Sequence, residues 1–204
     1  MSRILVTGFD PFGGQKINPA WEAVRRLPDR IHDAELVKIM VPTVYRKAYE
    51  TALSEAERVN PDAVILVGQA GGRDAITPEM VAVNLRYAAI ADNAGVLLQD
   101  VPVKPDGPAA YFATLPVRKM AEAVNTEGIP AKVSYSAGTF VCNDLFYLTA
   151  DHFAGQKTGV CFIHVPFLPE QAEEKYPSMT LEEIVKGLTA AIGIAAESIS
   201  EQKA

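Results

Sequence analysis

The sequence predicts an α/β domain with helices on both faces of a largely parallel sheet. Three observations carry this. Apolar, β-branched runs recur at residues 4–7, 36–41, 63–67, 131–135 and 160–165, as strands buried on both faces require. Amphipathic stretches at residues 19–27, 45–59 and 115–126 alternate with them. The chain has 204 residues, 49% of them hydrophobic, which is enough for one large core, so a single domain over residues 1–204 is expected.

Each element has its own signal. The run inside Met1-Ser2-Arg3-Ile4-Leu5-Val6-Thr7-Gly8 is too short for a signal-peptide core and reads as the first strand. Residues 81–90 suit either added strand pairing or a helix. Residues 99–110 are rich in proline, aspartate and glycine and read as a surface arm or lid. Ser134-Tyr135-Ser136-Ala137-Gly138 is a small, loop-favouring stretch that leads into an apolar helix starting near Cys142. The C-terminal helix is the cleanest. Thr180-Leu181-Glu182-Glu183 is a capping box, and Ile184, Leu188, Ala191 and Ile192 follow at helical spacing.

Charge and composition narrow the function. The net charge is −6, with acidic and basic residues interspersed and no basic stripe, so nucleic acid is not an expected partner. No apolar run approaches the roughly 20 residues of a membrane span. Two cysteines without a secretion signal imply free thiols in a reducing compartment, and a cytoplasmic location is expected.

Cys142 is the candidate nucleophile. A thiol near a helix N-terminus feels the positive end of the macrodipole, which favours thiolate. The other thiol, Cys161, sits inside Val160-Cys161-Phe162-Ile163-His164-Val165 and reads as a small buried hydrophobe. On a strand, Cys161 and His164 point to opposite faces. Among the three histidines, His32 falls in a polar loop. His152 lies ten residues after Cys142, about 15 Å along a shared helix axis, which is too far for a hydrogen bond. That leaves His164, at the C-terminal end of its strand, where active-site groups of α/β sheets gather. A Cys–His pair does nucleophilic chemistry, and a third group usually orients the imidazole. Glu79, in the loop region after the strand at 63–67, is the preferred third group. Nearby Arg73 and Asp74 read equally well as a loop ion pair.

Two further motifs point to other chemistry. Gly8-Phe9-Asp10-Pro11-Phe12-Gly13-Gly14-Gln15 has Walker-like glycine spacing, but Gly14 and Gln15 stand where lysine and serine or threonine belong. Phe9 and Phe12 make this loop apolar. It suits a small flat ligand, or two aromatics tucked under a turn. Ser136 lies in a stretch similar to a nucleophile elbow with its first glycine replaced. A serine hydrolase or transferase using Ser136 therefore stays open. So does a non-catalytic small-ligand binder using the Phe9/Phe12 slot.

The chain resembles the pyroglutamyl peptidase type I family of cysteine peptidases along nearly its whole length. The segments that carry the resemblance include Thr7-Gly8-Phe9-Asp10-Pro11-Phe12-Gly13-Gly14, Asn18-Pro19-Ala20-Trp21-Glu22, Gly68-Gln69-Ala70-Gly71-Gly72-Arg73 and Ile76-Thr77-Pro78-Glu79. Ser136-Ala137-Gly138-Thr139-Phe140-Val141-Cys142-Asn143 and Phe162-Ile163-His164-Val165-Pro166 complete it. The resemblance implies an α/β/α sandwich with a mostly parallel, mixed sheet, a homotetramer in the cytoplasm, and no metal or cofactor. It implies removal of an N-terminal pyroglutamyl residue from peptides by a Cys142–His164–Glu79 triad. By the same matching Phe9 and Phe12 sandwich the lactam, Gln69 hydrogen-bonds it, and Thr43, Ile90, Phe140 and Val141 complete the pocket. The chain departs from the family pattern at Met80 and Ala89, where basic residues are usual.

Overall fold

The structure is a computed structural model and describes residues 2–173 and 175–203. In chain order the elements are β1 (Ser2–Phe9), α1 (Pro19–Val24), β2 (Arg30–Ile31), β3 (Ala34–Val41), α2 (Lys47–Val59), β4 (Ala63–Gln69), β5 (Thr77–Glu79), β6 (Val81–Val83) and β7 (Ala110–Phe112). They continue with α3 (Val117–Thr126), α4 (Val141–His152), β8 (Gly159–Val165), α5 (Pro169–Ala172) and α6 (Leu181–Lys203).

Six strands form one sheet in the order β2-β3-β1-β4-β8-β5. The four long central strands are parallel. The short edge strands β2 and β5 run antiparallel to their neighbours. α1, α3 and α6 cover one face, and α2 and α4 cover the other. The architecture is therefore the three-layer α/β/α sandwich with a mostly parallel, mixed sheet.

The alternation within strands explains both cores. Ala63, Ile65 and Val67 of β4 pack under α1, α3 and α6, whereas Val64 and Leu66 pack under α2 and α4. A strand buried on both faces needs an unbroken apolar run, which is how these strands read in the sequence. The helices show single buried stripes instead. α2 buries Ala48, Ala52, Ala56 and Val59, at helical spacing. α1 opens with Pro19, and Asn18 caps it by accepting from the Ala20 N–H at 3.0 Å. The Thr180 capping box forms in both directions: the Thr180 N–H donates to Glu183 Oε2, and the Glu183 N–H donates to Thr180 Oγ1. Among the described residues no helix is long and apolar enough to cross a membrane.

Several expectations need correction. Residues 131–135 are extended but are not a strand. They meet β5 only through isolated parallel bridges, Ile76–Ala131 and Glu79–Ser134, because Pro130 and the turn beginning at Ser136 bound a short edge segment. Residues 81–90 split into the three-residue β6 and an irregular arm. β6 pairs antiparallel to β7, and further along the arm Arg86 makes a single antiparallel bridge to Val101. Residues 99–109 form the return limb of that arm, stitched by Arg86–Val101 backbone bonds and by Asn84 Nδ2 donating to Lys104 O and Gly107 O. β2, β5 and α5 gave too few residues to show a period.

Gly8 sets the approach of α1 to β1. A Cβ there would sit 2.7 Å from Trp21 Cα and 2.8 Å from Trp21 N, backbone atoms that cannot swing aside. We predict that Gly8→Ala lowers stability by about 1–3 kcal/mol through overpacking, read as a lower denaturation midpoint with an unchanged m value.

Candidate active site

β8 divides its side chains as alternation demands. Cys161, Ile163 and Val165 enter the core beneath α1, α3 and α6, while Phe162 turns to the α2/α4 face. His164, two residues on, shares that face with its ring 4.6 Å from the Phe162 ring. Cys161 is buried and apolar in its surroundings, as expected.

β5 supplies the carboxylate. Its register sets Thr77 opposite His164 and Glu79 opposite Phe162, so Glu79 reaches His164 along a cross-strand diagonal. The His164 Nδ1 to Glu79 Oε1 distance is 2.7 Å, and both side chains are buried. The carboxylate only accepts, so Nδ1 carries the proton and Nε2 presents a lone pair. Arg73 Nη1 donates to the same Oε1 at 2.6 Å and also reaches Thr77 Oγ1. Arg73 Nη2 donates to the Ser136 carbonyl at 3.2 Å. Arg73 and Asp74 are therefore not a loop ion pair, since Asp74 pairs with Lys132. Glu79 also lies in a strand rather than a loop. Its Oε2 is buried without a hydrogen-bonding contact; the Ser134 hydroxyl is close enough to favour the ion, but its own bond goes to Ser136 O.

Cys142 is the second residue of α4, whose N-cap, Phe140, provides no side-chain cap. The first-turn N–H groups are thus left without side-chain partners. Gly68 of β4 is what lets the thiol approach the sheet. A Cβ on Gly68 would lie 3.0 Å from Cys142 Sγ and 2.7 Å from Phe162 Cζ. Gly68 is also the register partner of His164 across β4 and β8. Thiol, imidazole and carboxylate are thereby gathered on one face at the C-terminal edge of the sheet.

Opposing influences act on the thiol. Burial pushes the Cys142 thiol up to about 12, and the Glu79 charge adds to this; Arg73 and the residue's own backbone N–H pull the other way. Cys142 keeps partial exposure, and there burial and the Glu79 charge work against the thiolate that the helix start favours. Burial also lowers His164 below 6.5, against the pull of Glu79. Burial opposes ionisation of Glu79, yet the hydrogen bond and charge of His164, with Arg73, hold it below the usual glutamate value.

The other candidates fall away on geometry. Ser136 is exposed, and its hydroxyl accepts from the Gly138 N–H at 3.2 Å. His32 is exposed, 3.7 Å from Glu197. His152 ends α4 beside Tyr49. Among the described residues no group of three or more His, Cys, Asp or Glu side chains is placed to hold a metal ion.

A model of the pyroglutamyl peptidase family matches residues 2–198. The chain belongs to the pyroglutamyl peptidase family. It is 50% identical to the pyrrolidone-carboxylate peptidase of Lactobacillus helveticus, over 95% of this chain and 98% of that one. It is similar to the crystal structure of pyroglutamyl peptidase I from Bacillus amyloliquefaciens, with a TM-score of 0.93 and 45% identity over 97% of this chain and 98% of that one. A mutant pyrrolidone carboxyl peptidase from the hyperthermophile Pyrococcus furiosus gives a TM-score of 0.92 at 41% identity, covering 97% and 99% of the two chains.

Residues matched to the family's pocket gather around α4's start, with differing exposure. Phe12 and Phe140 pack with tilted rings 6.1 Å apart, and Tyr45 meets Phe140 edge-on at 5.5 Å. The Gln69 side chain does not join them, because strand register turns it to the sheet face opposite Cys142 and His164. Phe9 is only 1% exposed and packs 6.4 Å from Phe162, so it is a core aromatic bordering the site rather than an open face. Thr43 is buried, and its N–H donates to Asp10 Oδ1 at 2.6 Å. Val141 is buried, whereas Ile90 is half exposed on the arm. Asn93 fastens that arm by donating to Asp10 Oδ1 and Pro11 O. Asn143 and Asp144, both fully buried, fasten it to α4. Asn143 bonds Val83 and Leu85, and Asp144 accepts from Arg86 Nε at 2.6 Å. Of the family departures, Met80 packs into the core beneath α1, α3 and α6, away from Glu79, and Ala89 is exposed on the arm. Arg73, Tyr45, Asn143 and Asp144 are the residues sequence reasoning missed. Asn143 and Asp144 carried a signal, polar side chains in the first turn of an apolar helix.

Two outcomes are expected. His164 has a lowered folded value, so its contribution is full above the ordinary histidine value of 6.5 and fades as pH falls below it; Glu79, also lowered, keeps its contribution down to the ordinary glutamate value of 4.5 and loses it below that. Cys142 is raised, so its contribution is full below the ordinary thiol value of 9.0 and fades as pH rises above it. Denaturation midpoints plotted against pH should therefore plateau between these limits. Arg73→Met should cost about 1.5–3 kcal/mol by leaving a buried carboxylate short of a charged donor, and urea melts should show that loss shrinking once Glu79 is protonated.

Proposed function

We propose that this protein is a cysteine exopeptidase that hydrolyses the bond after an N-terminal pyroglutamyl residue, with Cys142 as nucleophile, His164 as base and Glu79 as its orienting group. The observation that carries this is the 2.7 Å His164–Glu79 contact on the sheet face where Gly68 admits the Cys142 thiol. The names of the family and its relatives supply the substrate class.

Each step falls to a residue of this chain. Sγ attacks the carbonyl between the lactam ring and the peptide chain, while His164 Nε2 takes the thiol proton. Transfer accompanies attack, because the resting thiol is protonated and the imidazole neutral. Glu79 stabilises the imidazolium, and Arg73 keeps Glu79 ionised. Free N–H groups at the start of α4 hold the developing oxyanion. The imidazolium then protonates the leaving amine, and the C–N bond breaks to give a pyroglutamyl thioester. Water, deprotonated by His164, hydrolyses that ester, and the proton returns to Sγ.

Specificity follows from what the slot refuses. The pyrrolidone ring is flat and uncharged, and suits Phe12, Phe140, Thr43, Val141, Ile90 and the border formed by Phe9. An ordinary N-terminus brings an ammonium that this apolar wall would have to desolvate. The working unit is a single domain over residues 1–204 in the cytoplasm, assembled as a homotetramer, acting on pyroglutamylated peptides without metal or cofactor.

Hydrolysis of a chromogenic pyroglutamyl amide under reducing conditions tests the reading. Wild type should turn over, and Cys142→Ala should lose about 10⁴-fold or more in kcat at unchanged fold. Full activity in Cys142→Ser would transfer the chemistry away from the thiol, and wild-type inactivity would end the proposal. In active protein, kcat/KM should rise with pH through a value below 6.5, as His164 loses its proton.

A further inference from the structure

The outbound limb of the arm uses its two edges differently. The N–H groups of Asn84, Arg86 and Ala88 donate to Ala109, Val101 and Leu98 of the return limb. The residues between them, Val83, Leu85 and Tyr87, bond instead to the chain that carries Cys142. On one side of the thiol, the Tyr87 N–H donates to the Thr139 carbonyl at 3.0 Å, and Thr139 Oγ1 donates to the Tyr87 carbonyl at 2.7 Å. On the other side, Asn143 Oδ1 accepts from the Val83 N–H at 2.9 Å. Asn143 Nδ2 donates to the Val83 and Leu85 carbonyls at 2.8 and 3.0 Å. The backbone partners fix the character of each bond, so the buried Asn143 amide has one orientation and both its protons are used.

Helices commonly fix their start with a side-chain cap, which occupies an N–H of the first turn. α4 begins at Phe140, which offers no such cap. The bonds from Thr139 and Asn143 to the arm hold the start from outside, and none of them uses an N–H of that first turn. We infer that Thr139 and Asn143 are positioning residues for the nucleophile: through them the arm, in place of a helix cap, fixes where Cys142 Sγ stands. This rests on the exopeptidase reading above. Both residues act through Cys142, since their side chains bond to the arm. A sulfur displaced by about 1 Å loses up to about a hundredfold in rate, so a restraint on each side of it is a catalytic asset. Tyr147 supplies the comparison. It also binds the arm, donating to the Pro108 carbonyl at 2.7 Å, but more than one turn further along α4.

The test measures kcat and KM for a chromogenic pyroglutamyl amide, per folded molecule, beside denaturation midpoints. Thr139→Val removes one arm bond next to the thiol and should lower kcat about tenfold or more. Thr139→Ser keeps the hydroxyl and should retain wild-type kcat. KM should move less than kcat in Thr139→Val, because Phe140 has packing of its own against Phe12 and Tyr45. Tyr147→Phe also removes one bond between α4 and the arm. It should lower the midpoint as Thr139→Val does, yet leave kcat unchanged. Asn143→Ala should give a larger fall in kcat than Thr139→Val; if it does not fold, the Thr139 pair decides. An unchanged kcat in folded Thr139→Val overturns the inference. An equal fall in Tyr147→Phe also overturns it, by making the effect one of general stability. A wild type without turnover overturns the exopeptidase reading, and this inference with it.

Discussion

One carboxylate oxygen, Glu79 Oε1, receives His164 Nδ1 at 2.7 Å and Arg73 Nη1 at 2.6 Å, and much of the molecule serves that junction. A buried anion is stable only when such donors surround it. The donors come from separate stretches: His164 from β8, and Arg73 from the turn after β4. Arg73 also holds Ser136 O, in the loop that leads to Cys142. The antiparallel pairing of β5 with β8 is the constraint that brings them within reach, because it lays Glu79 diagonally across from His164.

The junction also sets the protonation pattern. An ionised Glu79 fixes the imidazole tautomer and leaves Nε2 basic, while its charge and the surrounding apolar matter disfavour the Cys142 thiolate. Arg73 is the only cation the structure shows against Glu79 besides His164, among the described residues.

The central architecture was legible because the four parallel strands are long and buried on both faces, so their apolar runs are unbroken. The C-terminal helix was legible through its capping box. Cys142 and His164 could be reached by elimination, since thiols and imidazoles are few here. Glu79 could not be chosen from spacing among 25 acidic residues. β5 is three residues long with a proline in the middle, and its partner is 83 or more residues away in sequence. Phe9 shows the converse limit. Its loop context suggested an open aromatic face, but alternation along β1 turns it into the core against Phe162. The pull of burial against the thiolate was not legible, because a helix end is a local feature of sequence, whereas burial depends on what the whole fold stacks above the sulfur.

The setting of Cys142 has a bearing on chemical wear. Oxidation by peroxide and attack on stray electrophiles proceed through the thiolate. Burial and the Glu79 charge both disfavour that anion. By drawing the sulfur down onto the sheet, Gly68 therefore lowers its idle reactivity as well as fixing its place.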